Sequence, residues 1–96
     1  MTTHQAYTLT TANTAYEIIP ARQGNGRDVT IQNNNATALI YIGGEGVTST
    51  SYGFKIVPGA AISFELDGED SIWAVSNSSG VDVHIMRVRL EGSHIV

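Results

Sequence analysis

Between Asp28 and Leu90 the chain is a succession of short apolar stretches, mostly alternating with polar residues and closed by glycine, asparagine or proline. Alternation sends successive side chains to opposite faces of an extended segment, so a half-buried β-strand is the structure that satisfies it. The turn signals recur about every ten residues, the interval of a sandwich or barrel. No window sustains the 3.6-residue period of an amphipathic helix. The expected fold is all-β: a single-domain antiparallel β-sandwich or barrel, jelly-roll-like, of about seven to eight short strands with an extended N-terminal arm.

The segments fall out in order. Six of the first fourteen residues are Thr and the apolar ones are isolated, so residues 1–14 read as an arm that orders against a partner. The sandwich spans residues 15–90 and a tail residues 91–96. Strands are expected over 15–20, 28–32, 38–42, 54–57, 61–66, 72–75 and 81–90. The run Ala38 to Ile42 is apolar enough for both of its faces to be covered. Gln23 to Gly26, the Asn33-Asn34-Asn35 run, Pro58-Gly59, Asp67 to Asp70 and Ser76 to Gly80 supply turns. In the last strand Val81, Val83 and Ile85 share one parity, whereas Met86, Val88 and Leu90 share the other. That change of phase predicts a β-bulge near Ile85 or a strand that passes between sheets. Trp73 and Phe64 lie in apolar strands and are expected in the core.

Composition removes several classes of function. Charged residues make up only 15 % of the chain, below the quarter or so usual in soluble domains, so Thr, Ser, Asn and Gly fill the surface. The net charge is −4, and the five basic residues are dispersed, so there is no footprint for nucleic acid. There is no cysteine, which excludes disulfides and thiolate metal sites. The N-terminal stretch lacks the basic start and apolar run of a secretory signal, and no stretch approaches a membrane span. Synthesis and folding in a cytoplasm are expected.

The residues also offer no reactive set. His4, His84 and His94 are far apart in sequence, and Asp82 and Met86 beside His84 make no ligand group, so no metal is expected. Glu65, Asp67, Glu69 and Asp70 lack the alternating oxygen ligands of a calcium loop and read as a solvated hairpin turn. Gly43 to Gly46 follows a strand, but no Gly-Lys-Ser/Thr and no helix come after it. No nucleophile elbow accompanies the serines, and without a secretion signal Asn35-Ala36-Thr37 and Asn77-Ser78-Ser79 are turn residues. The expectation is a non-enzyme without cofactor that works through its surface.

Candidate contact residues follow from position. Tyr7 and Leu9 are the large apolar residues of the arm, and Tyr52 is an aromatic in a Ser/Thr/Gly loop beside Phe54. The acidic turn could face an arginine on a neighbouring subunit, and Arg87 and Arg89 are the candidates.

Four stretches carry a family resemblance: Val29 to Asn33, Leu39 to Gly44, Gly53 to Leu66, and Ser71 to Ser76. In this order, with the acidic turn before the fourth, they resemble the small proteins found on the heads of tailed bacteriophages. The resemblance covers about two-thirds of the chain, from Asp28 to about Val88. It implies a capsid decoration (head accessory) protein or the base of a head fibre, located on the virion and made in the host cytoplasm. The implied partners are the major capsid protein and further copies of the chain, with a homotrimer favoured. It supplies no residue-level site. Two other readings stand beside it: a glycan-binding sandwich using Tyr52 or Trp73, and a tail or head–tail connector subunit.

Overall fold

The computed structural model describes the backbone of residues 2–21, 26–66 and 70–89. It contains eight strands: β1 (Thr2–Leu9), β2 (Tyr16–Ile19), β3 (Arg27–Asn33), β4 (Ile40–Gly43), β5 (Phe54–Ile56), β6 (Ala61–Leu66), β7 (Ile72–Ser76) and β8 (Val81–Arg89). Among the described residues there is no helix. The strands form two four-stranded sheets, ordered β1-β8-β3-β6 and β2-β7-β4-β5.

The pairing is nested. β1 lies against β8, β2 against β7, β3 against β6 and β4 against β5, all antiparallel. A long hairpin wrapped on itself produces this pattern, and β3–β8 and β4–β7 contacts then close each sheet. The architecture is a jelly-roll β-sandwich.

Alternation fills the core as the sequence pattern requires. In β3 Val29 and Ile31 are buried while Asp28 and Gln32 are exposed. They meet Ile40 and Ile42 of β4, Ile18 and Ile19 of β2, Ile56, Ala74 and the inner row of β8 in one cluster. Each fully buried Ile or Leu contributes roughly 1.5–3 kcal/mol through removal of apolar surface from water. Leu39 and Tyr41, on the outer face beside β4, are only half-buried, so that strand is less enclosed than its apolar run predicts.

Three expectations are corrected. The segment read as an arm is an integral strand. β1 pairs residue by residue with β8, from Thr2 opposite Val88 to Leu9 opposite Val81, and Leu9 is fully buried. β8 has no bulge near Ile85: its register with β1 and β3 is unbroken, so Met86 and Val88 project outward as exposed apolar side chains. The irregularity lies in β2 between Glu17 and Ile19, where it lets the consecutive Ile18 and Ile19 both point inward. Trp73 is half-buried and outside the core cluster, opposite Glu17 and Gly43 on the outward side of β7. Most of the turn over 23–26, most of the acidic turn over 67–70 and the tail 91–96 lie outside the described residues.

Asn33, expected in a turn, closes β3 as a fully buried polar residue. Its Nδ2 donates to the carbonyls of Ala38 (2.8 Å) and Ile56 (2.9 Å). Its Oδ1 accepts from the backbone N–H (3.1 Å) and Nδ2 (2.9 Å) of Asn35. All four hydrogen-bonding positions of the amide are thus used, and one side chain ties β3 to β5 and to the approach to β4.

Candidate functional site

The two lateral sides of the sandwich differ. On one side β1 and β2 are neighbours in opposite sheets, and Tyr7 and Tyr16 close the gap with ring centroids 6.3 Å apart. The Tyr16 hydroxyl accepts from the Thr11 N–H at 3.1 Å, which holds the β1–β2 connection over the end of the core. On the other side β5 and β6 leave an apolar cleft of about 480 Å³ between the sheets. Ile42, Gly53, Phe54, Ile62, Phe64 and Ile72 line it. Phe54 has the same inward parity as the buried Ile56, yet 52 % of it is exposed because the cleft is open.

The loop between β4 and β5 is anchored rather than free. Val47 is buried, Gly53 N–H returns to the Ile42 carbonyl at 2.8 Å, and Thr48 and Ser51 bond each other's backbone. Tyr52 leaves this loop and tilts against Tyr41 with ring centroids 4.9 Å apart. Tyr41 lies opposite Lys55 and Val75, so the aromatic pair sits on the outer face of the β2-β7-β4-β5 sheet, as does Trp73.

The outer face of the other sheet is sparsely charged. His4 and Ala6 of β1 lie opposite Met86 and His84 of β8, which in turn face Thr30 and Gln32 of β3. Thr30 and Ser63 share a hydrogen bond of 2.8 Å across β3–β6, and Thr8 donates to Asp82 at 2.8 Å. Among the described residues no group of three or more His, Cys, Asp or Glu could hold a metal ion.

The six residues singled out from sequence are not brought together. Leu9 is core and cannot meet a partner in the folded chain. Tyr7 is largely occupied by Tyr16 and the core. Arg87 points toward the inner side at the end of its sheet and donates to Gln5 Oε1 at 3.2 Å. The side chain of Arg89 lies outside the described residues. Tyr52 and Phe54 are exposed, but Tyr52 stands on an outer face and Phe54 in the lateral cleft. Sequence reasoning missed Val57, Met86 and Val88, which are exposed with them. Unbroken alternation through β8 was the signal that could have found the last two.

Comparison with known proteins adds a likeness of fold. No protein-family model matches this chain, and no curated protein does. Among solved structures, a chain of the Bacillus endospore appendages, described as a novel family of disulfide-linked pili, superposes with a TM-score of 0.53 at 17 % identity. The match covers 95 % of this chain and 88 % of that one, so it extends over the whole sandwich.

Proposed function

We propose that this chain is a structural virion protein that seats on the outer surface of a tailed-phage capsid as a small symmetric oligomer. The observation that carries the reading is a sandwich with little surface charge that exposes large apolar side chains at three places: Met86 and Val88 on one outer face, Tyr52 on the other, and Phe54 and Val57 at the β5–β6 side. A shell subunit that touches both neighbours and the shell needs apolar contacts on more than one side. The motif order from Val29 to Ser76 supports the phage assignment, with the major capsid protein as partner. Repetition on a shell raises the occupancy of a weak single contact when copies are linked, so no deep site is required.

The endospore-appendage likeness suggests a filament subunit as another form of repeated assembly. Its described chemistry does not transfer, because this sequence holds no cysteine. A glycan-binding reading has its own observation: Tyr41, Tyr52 and the outward Trp73 share one sheet face. Specific glycan-array binding that disappears in Tyr52→Ala would favour it.

The deciding experiment mixes purified protein with expanded capsids that lack it and images the shells. Ordered density at symmetry-related outer positions is expected. Bare shells at saturating protein would reject the capsid reading.

A further inference from the structure

Strand pairing assembles, on the outer face of the β1-β8-β3-β6 sheet, a set of donors that sequence neighbours do not supply. In β8 Val83 and Ile85 are buried, so His84 and Met86 project outward. In β1 Leu9 is buried and Tyr7 packs on the core, so His4 and Ala6 project outward as well. His4 lies opposite Met86, and Ala6 lies opposite His84. The four side chains therefore mark the corners of a rectangle, with one imidazole on each strand and the thioether between them.

The size of the rectangle suits a metal ion. Its short sides are roughly 5 Å between Cβ atoms, the separation of directly paired residues. Its long sides are about 7 Å, two residues along a strand. A point just above the centre is then about 4–5 Å from every corner. An imidazole or a thioether spans that distance once the metal bond adds its about 2.0–2.3 Å. Ala6 at the fourth corner carries only a methyl group, so it does not obstruct the position and leaves room for a further ligand.

The donors select the metal. A soft, uncharged thioether favours Cu(I), and imidazole accepts copper readily. Hard cations require oxygen ligands, and the rectangle holds no carboxylate. The nearest along β8, Asp82, stands one row further on and is engaged by the Thr8 hydroxyl at 2.8 Å. Zn(II) takes Cys, His and carboxylate ligands and gains nothing from a methionine. Met86 is 46 % exposed, so its sulfur is open to an ion arriving from solvent. We propose that His4, His84 and Met86 form a surface site for a cuprous ion. Nothing in this site depends on the capsid as partner.

Copper titration tests it. The untagged chain, with copper held reduced by ascorbate and a chromophoric cuprous chelator as competitor, should bind one ion per molecule. X-ray absorption of that complex should show one sulfur and two imidazole nitrogens on the metal. Met86→Leu should remove the sulfur, weaken Cu(I) binding and leave Zn(II) binding by the two imidazoles unchanged. The loss should reach at least about tenfold, the lower bound seen when even an outlying partner of a metal ligand is removed. His84→Ala should weaken both ions, and Ala6→His, which fills the open corner with a third imidazole, should tighten both. Metal-free thermal melts of the variants should match the parent, since His4, Ala6 and Met86 are exposed and His84 is half-buried. A chain that yields all its Cu(I) to the chelator overturns the proposal, as does an affinity indifferent to Met86→Leu or to His84→Ala. A sulfur signal that survives Met86→Leu also overturns it, because the only other methionine is Met1 and the chain has no cysteine.

Discussion

Asn33 should be the most sensitive polar position in the molecule. Replacing it by Ala removes the donors to the carbonyls of Ala38 and Ile56, held at 2.8 and 2.9 Å in a site with no solvent exposure. A buried carbonyl left without a donor costs about 1–3 kcal/mol, so the pair costs roughly 2–6. The Asn35 groups that lose Oδ1 are half-buried and can turn to water, which adds little. Local relaxation at the end of the sandwich lowers the upper figure, so the expected loss is about 3–4 kcal/mol. For a domain of this size that corresponds to a fall in Tm of roughly 12–30 °C.

Asn33→Asp makes the same argument with a pH signature. The carboxylate would face two carbonyl oxygens with nothing to donate, so its pKa in the folded state is raised above the unfolded value of about 3.9. For a carboxyl shifted upward, stability is greatest below the unfolded pKa and is lost as pH rises through the folded one. The gap to the parent protein should therefore widen from pH 3 toward pH 7. Denaturant unfolding followed by circular dichroism at several pH values measures both variants. An Asn33→Ala loss under about 1 kcal/mol, or an Asp variant that tracks the parent across the range, would refute the bracing role assigned to this amide.

Three further outcomes are expected. Deleting residues 2–9 should abolish the cooperative fold rather than merely weaken assembly, because it removes an entire strand from β8 and the buried Leu9; a sharp thermal transition in the truncated chain would return these residues to the status of an arm. Gly43→Ala should cost about 1–3 kcal/mol, since its Cβ would lie 3.2 Å from the Gly53 backbone nitrogen and 3.3 Å from Val47 Cγ2, whereas Gly44→Ala meets no atom within 4 Å and should cost far less. Equal denaturant midpoints for the two variants would count against that packing. Met86→Ser and Val88→Thr should each change stability by no more than about 0.5 kcal/mol, and a loss above about 1.5 kcal/mol would mean that the outer face of β8 is covered.

The strands that alternation revealed are those with one apolar face and one polar face. β6 was legible to the residue, with Ile62, Phe64 and Leu66 inward and Ser63 and Glu65 outward. β1 was not, because an edge strand needs little apolar surface: Tyr7 and Leu9 are its only large inward residues, and the backbone ladder to β8 does the rest. Trp73 was misplaced for a different reason. Ile72 and Ala74 compete with Trp73 and Val75 for the inward side, and periodicity alone does not choose between two apolar parities. Asn33 was invisible because its partners lie 5 and 23 residues away, and only the folded chain brings those carbonyls together. The same limit applies to the surface. That Phe54 is exposed and Leu9 is not depends on which side of the sandwich each strand borders, and that is a property of topology.

Topology also explains why the two sides differ. The nested pairing sets the chain's first two strands against each other on one side and β5 and β6 on the other. The first side has Tyr7 and Tyr16 to fill the gap. The second has a short edge strand of three residues, β5, whose only buried side chain is Ile56. Three residues cannot both shield the groove and hold Lys55 outward, so the apolar lining stays in contact with water. The open side is therefore built into the way this chain wraps.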